Sequence, residues 1–262
     1  MIKSNNVPHG VILSCKSFYL TKEEATFFSK INPFGFIIFS RNFESKKQLS
    51  ELTESLKTIS LNKKPLIFVD QEGGRVQRFK NNEFFKYPPQ KFFGDIYNTD
   101  KKKAEKLSYI NARLIAYELK EVGVDINCSP VLDVFFPNGN AIIGNRSFGS
   151  DPEAVAILAK KYCEGFRDGG ILPVIKHFPG HGRASKDSHI DLPIISENLE
   201  DLEKIDLIPF RSLNNENLLM VAHILYENID KKIAPYSNKF MTMILEESIN
   251  YKGLIISDDL SM

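Results

Sequence analysis

Three of the five histidines in this 262-residue chain, His177, His181 and His189, fall within thirteen positions. They belong to the run from Lys176 to His189, which also carries Gly180, Gly182, Arg183 and Asp187. His177 and His181 are four apart, the spacing of ligands on a helical zinc site, but Pro179 and Gly180 between them forbid that helix. The competing reading is a strand end followed by a loop, with Lys176 and His177 projecting as hydrogen-bond donors toward a sugar or a phosphate. Asp187-Ser188-His189 places a carboxylate two residues from an imidazole. Such a carboxylate can fix the tautomer of the ring and leave its other nitrogen free to move a proton near neutral pH. A plain loop turn would also use these residue types.

Three further clusters carry chemistry. An apolar run ends in Ser257-Asp258-Asp259, where one carboxylate could act as a nucleophile and the other as the N-cap of a following helix. Val69-Asp70-Gln71-Glu72-Gly73-Gly74-Arg75-Val76-Gln77-Arg78 offers a tight turn in which Asp70 can accept hydroxyl hydrogen bonds and Arg78 can reach back toward the site. Its plain alternative is a charged turn with internal salt bridges. Gly144-Asn145-Arg146-Ser147-Phe148-Gly149 holds an arginine between glycines, either a substrate clamp or a staple of its loop.

Elements that could position these groups alternate along the whole chain. Strand candidates are 10–14, 35–40, 65–70, 123–128, 172–177, 218–223 and 253–257, most of them continuous Val, Ile, Leu and Phe runs. That is the pattern of parallel strands covered on both faces. Between them, Thr21 with Glu24 and Ser45 with Gln48 fit capping boxes, and amphipathic stretches span 104–122, 152–168, 199–213 and 239–250. Gly123 and Gly169 read as helix stops. Arg41-Asn42, Asp70-Gln71-Glu72, Ser129, Lys176-His177, His223 and Asp258-Asp259 all sit at or just past the C-terminal ends of strands. Polar groups converging from many strand ends describe a barrel, whereas an open doubly wound sheet concentrates them at one switch point beside a glycine-rich fingerprint that this chain lacks. The fold class is therefore α/β, a (β/α)8 TIM-type barrel, expected as a single domain over 1–262.

Composition narrows the function. Lys and Arg total 34 against 33 Asp and Glu, a formal net charge of +1, which argues against a nucleic-acid binder relying on bulk positive charge. Cys15, Cys128 and Cys163 form no CxxC pair and read as reduced, buried thiols of a cytoplasmic protein. No apolar run approaches the roughly 20 residues of a membrane helix.

Taken together and in order, GFIIFSRN, VDQEGGRVQR, GNRSFG, KHFPGHG followed by DSH, MVAHILY and IISDDLSM resemble the bacterial cytoplasmic β-N-acetylglucosaminidases of glycoside hydrolase family 3. The resemblance covers the chain from about residue 10 to its end. It implies that Asp258 is the nucleophile of a retaining hydrolase, His189 the acid/base and Asp187 its partner. Asp70, Arg78, Arg146, Lys176 and His177 match positions that grip N-acetylglucosamine. It further implies a monomer without metal or organic cofactor, acting on N-acetylglucosamine β-1,4-linked to an anhydro-muramic acid from peptidoglycan. The family's barrel has eight strands and only seven are visible here, the chain running four residues past Asp258. Unpaired edges on the first and seventh strands are the expectation. The alternative is an inactive remnant with at most muropeptide binding.

Overall fold

The computed structural model describes residues 7–59, 64–139, 141–184 and 192–260. Seven strands form one sheet: β1 (His9–Leu13), β2 (Pro33–Ile38), β3 (Leu66–Val69), β4 (Ile126–Asn127), β5 (Leu172–Phe178), β6 (Leu218–Val221) and β7 (Leu254–Ser257). They lie side by side in chain order, and every pairing is parallel. This is the winding of a barrel, because a doubly wound sheet reverses its strand order partway through. All seven strand candidates correspond to these strands.

Alternation along each strand divides the apolar residues between two layers. Phe68, Ile126, Cys128, Val174, Leu218 and Met220 pack together, flanked by Ile12, Ile37 and Ile256, in a cluster drawn from the sheet and its immediate extensions. Their neighbours Ile67, Val69, Ile175, Leu219 and Val221 join the larger core formed with the helices. Seven of these helices are α1 (Lys22–Ile31), α2 (Lys46–Thr58), α3 (Gln90–Tyr97), α4 (Lys101–Glu121), α5 (Pro152–Asp168), α6 (Leu199–Lys204) and α7 (Leu207–Ser212). A π-helical segment, Lys239–Ile249, precedes β7.

Local chemistry accounts for the boundaries. Thr21 and Glu24 make the full capping box of α1. At α2, Ser45 accepts from the Gln48 amide, but the Gln48 side chain accepts from Glu44 instead of Ser45 and donates to Phe18 and Asn42 carbonyls. A buried amide thus serves the loop after β1, and only half of the expected box forms. The expected helix over 199–213 is two helices. Pro209 has no N–H for the Ile205 carbonyl and its ring crowds that position, so the chain breaks at Ile205-Asp206. Helix α5 ends at Asp168 with Gly169 as its C-cap, as expected, and the left-handed turn that leads out of it is taken by Gly170 at φ 77°.

The edge strands are β1 and β7, and no eighth strand pairs with either among the described residues. Val11 and Leu254 are accordingly exposed. Cys15, Cys128 and Cys163 are free and buried. No helix among the described residues is long and apolar enough to cross a membrane.

Helix α3 lies so close to the loop after Arg146 that a Cβ on Gly94 would fall 1.6 Å from the Phe148 carbonyl oxygen. Gly94→Ala should therefore destabilise the chain by about 1–3 kcal/mol through overpacking, although alanine is the better helix former by roughly 1 kcal/mol. Urea denaturation measures the sign; stabilisation would mean that the contact yields without strain.

Candidate active site

One step beyond the apolar inner layer, the same alternation turns polar. Phe68 is followed two residues on by Asp70, Val174 by Lys176 and Ile256 by Asp258, all at the C-terminal end of the sheet. The buried Cys128 thiol lies beneath them. Burial pushes it well up, and the charges of Asp70, Asp258 and Glu72 push in the same direction against that of Lys176.

Charges alternate through this layer. Arg78 Nη2 is 3.0 Å from Asp70 Oδ2, and Lys176 Nζ is 2.9 Å from Asp70 Oδ1 and 2.7 Å from Glu72 Oε1. Arg146 then grips both Glu72 oxygens, Nε at 2.9 Å and Nη2 at 2.8 Å. Lys176 and Glu72 are both buried. An unpaired charge there would be severely destabilising, and each is retained because it lies between opposite charges. Burial alone would raise the Asp70 carboxyl, but Lys176 and Arg78 outweigh it and hold the group far below the usual range. Glu72 behaves alike: Arg146 and Lys176 overcome burial and set it at about 2. Conversely, burial would lower the Lys176 ammonium, while Asp70 and Glu72 raise it.

A small antiparallel hairpin, Gln71–Gly73 with Val76–Gln77, returns Arg78 over Asp70. Its turn requires glycine, because Gly73 has φ 98° and a Cβ there would lie 2.5 Å from the Pro88 carbonyl oxygen. The Gln71 side-chain oxygen accepts from the Arg78 and Phe79 amides, and Gln71 exchanges two backbone hydrogen bonds with the Asn127 side chain on β4.

Asp133 anchors the histidine side. Its Oδ2 lies 2.7 Å from His177 Nδ1, while Oδ1 accepts from the backbone amides of His181, at 2.7 Å, and His177, at 3.3 Å. His177 Nε2 is 3.3 Å from Arg146 Nη2. A guanidinium can only donate, so the two contacts together select the Nδ1–H tautomer and leave Nε2 as an acceptor. Burial would raise the Asp133 carboxyl; the His177 ring beside it offsets that and holds it below its ordinary value. Both ring nitrogens of His177 are thus engaged, one by an arginine that would repel a cation. Among the described residues no group of three or more His, Cys, Asp or Glu is arranged to hold a metal ion.

Arg183 holds the described first part of the loop after β5. Its Nε lies 2.8 Å from Asp206 Oδ2, Nη1 lies 3.2 Å from Glu197, and the guanidinium sits 4.2 Å over the Phe136 ring. Burial pushes the Asp206 carboxyl up to about 6, with Arg183 opposing. Asp187 and His189 lie outside the described residues.

The structure therefore brings Asp70, Arg78, Arg146, Lys176 and His177 into one network at the strand ends. Asp258 stands one residue past the edge strand β7, which β6 separates from β5, its amide 3.1 Å from the Val221 carbonyl oxygen and its Oδ1 accepting from the Asp259 amide. Arg146 is both a staple, through Glu72, and a group facing the site, through His177. Sequence reasoning gave no role to Glu72 or Asp133. A lone carboxylate inside the apolar run Val131-Leu132-Asp133-Val134-Phe135-Phe136 was the available signal, since it needs a buried partner. Chemically, the site offers a ring of fixed cationic donors and acceptors suited to a polyhydroxylated ligand, beside a carboxylate able to attack it.

The sequence profile of the glycosyl hydrolase family 3 N-terminal domain matches residues 12–262. A β-hexosaminidase of Neisseria gonorrhoeae is 40% identical over 261 residues, spanning 98% of this chain and 72% of that protein. One from Alkalilimnicola ehrlichii is 41% identical over 246 residues, spanning 93% and 70% respectively. Among solved structures, NagZ from Neisseria gonorrhoeae in complex with N-trifluoroacetyl-D-glucosamine superposes with a TM-score of 0.93 at 40% identity, covering 98% of this chain and 76% of that one.

Two outcomes follow from the network. Glu72 titrates near 2 in the fold against an ordinary value of 4.5, so its stabilising contribution is complete above pH 4.5 and disappears as pH falls toward 2. Glu72→Gln should lower unfolding free energy at pH 7 by on the order of 3 kcal/mol, and the gap to the unaltered chain should close in acid. A gap independent of pH, in urea titrations across that range, would contradict the pairing. Nitrogen-resolved proton spectra should place the His177 ring proton on Nδ1, with Asp133→Asn populating the other tautomer; an Nε2 proton in the unaltered chain would overturn the assignment.

Proposed function

The chain belongs to glycosyl hydrolase family 3, and we propose that it removes terminal β-1,4-linked N-acetylglucosamine from peptidoglycan-derived anhydro-muropeptides with retention of configuration. It is a glycosidase, and the observation that carries the finer reading is the Arg78–Asp70–Lys176–Glu72–Arg146–His177 network at the strand ends next to Asp258.

In this reading Asp70, Arg78, Lys176, Arg146 and His177 hold the hydroxyls and acetamido group of the terminal sugar. With the salt bridges already in place, binding needs little reorganisation of charge. The Asp258 carboxylate attacks the anomeric carbon, forming a carbon–oxygen bond as the bond to the leaving oxygen breaks. His189, supported by Asp187, gives that oxygen its proton. It then takes a proton from the water that attacks the glycosyl-enzyme, releasing N-acetylglucosamine and restoring Asp258. The chemistry needs neither a metal nor an organic cofactor, and the reading includes a single cytoplasmic domain acting as a monomer. The partial exposure of β7, the strand that leads to Asp258, favours one second reading, muropeptide binding without turnover.

Turnover separates the two. The 262-residue chain should release the aryl group from an aryl β-N-acetylglucosaminide and give a β-anomeric first product, and Asp258→Ala should abolish release on every substrate. His189→Ala should lose least in the glycosylation step with the least basic leaving groups, which need little protonation. Equal losses across leaving groups would make His189 structural, and no release by the folded chain would select binding without turnover.

A further inference from the structure

Arg41 lies just past the C-terminal end of β2, on the same end of the sheet as the charge network, and takes no part in it. Arg78, Arg146, Arg167, Arg183 and Arg211 each reach a carboxylate, whereas Arg41 has no carboxylate within ion-pairing distance among the described residues. It is nevertheless fixed. Nε donates to the Cys15 carbonyl at 3.3 Å, Nη2 donates to Ser14 Oγ, and the guanidinium lies 4.5 Å over the Phe39 ring.

The same ring also carries Arg78, whose guanidinium is 5.6 Å from its centroid. Arg78 bonds Asp70 through Nη2, leaves its buried Nε without a hydrogen-bond partner, and receives the Ser40 hydroxyl on its carbonyl at 3.0 Å. Phe39 therefore spaces two guanidiniums, one neutralised by Asp70 within the site and one exposed at its rim with no counter-charge among the described residues. An arginine held by stacking and two hydrogen bonds has little freedom left to lose on binding, so a carboxylate docking there gains most of its charge-assisted hydrogen bond.

We propose that Arg41, supported by Phe39, forms a subsite for a carboxylate on the group attached to the terminal sugar. The proposal rests on the sugar-binding reading above and deepens it. An enzyme acting on a terminal residue takes that residue into the polar pocket, and the leaving group then projects toward the rim, where Arg41 stands. The muramic-acid lactyl group supplies a carboxylate of this kind where no peptide is amide-linked to it.

Calorimetric titration of the Asp258→Asn chain, which holds substrate without turning it over, tests the subsite. The two ligands are N-acetylglucosaminyl-β-1,4-anhydro-N-acetylmuramic acid and the same disaccharide with its lactyl carboxylate converted to the primary amide. The acid should bind about tenfold more tightly than the amide, and the advantage should shrink as salt is raised. Adding Arg41→Ala should reduce the advantage to less than about twofold while leaving the amide's affinity unchanged. The acid-to-amide comparison itself requires no change at Arg41, so loss of folding in that variant cannot conceal the answer. Equal affinity of acid and amide with Arg41 present would overturn the proposal while leaving the sugar site standing. Binding of neither disaccharide would remove the sugar reading and the proposal with it.

Discussion

Lys176 is the constraint around which the rest of the site is organised. A lysine ammonium inside the mouth of a sheet is tolerable only if anions surround it, and Asp70 and Glu72 do so at 2.9 and 2.7 Å. Two carboxylates so close together in turn need cations on their far sides, which Arg78 and Arg146 provide. Each charge is the condition for its neighbour. The chain of pairs ties β3 and the hairpin directly after it to the loop of Arg146 and to β5, both far from them in sequence.

Satisfying those charges also prepares the site for chemistry. Because Arg146 is drawn to Glu72, its remaining donor capacity faces His177. Because Asp133 takes the other side of that ring, the imidazole holds one tautomer. The same Asp133 oxygen that receives the His177 amide receives the His181 amide, so His177 and the start of the loop after β5 are set by a single buried carboxylate. At the rim the logic changes. Arg41 is exposed, so its charge can remain uncompensated in water, and it is the group left to meet an anion from outside.

Much of this architecture is legible in the residues alone. Continuous apolar runs mark most of the seven strands, since strands covered on both faces have no polar side to display, and the clustering of polar residues just past their ends distinguishes a barrel from an open sheet. Capping at Thr21 is local chemistry and is read correctly from four residues. The helix over 199–213 is misread because amphipathic spacing continues through Pro209, while the missing N–H breaks the backbone four residues earlier.

What the sequence by itself determined is therefore whatever depends on neighbours along the chain: strand positions, most helix starts, and the residue types at each strand end. Only the tertiary structure decided which charges pair. Glu72 lies two residues from Asp70, yet its partners are 74 and 104 positions away at Arg146 and Lys176. Asp133 sits in an apolar run and meets a histidine 44 residues later. Ion pairing between distant segments leaves no periodic trace in either one, because its energy comes from removing both partners from water at the same place, and that place exists only once the sheet has curled and brought the strand ends together.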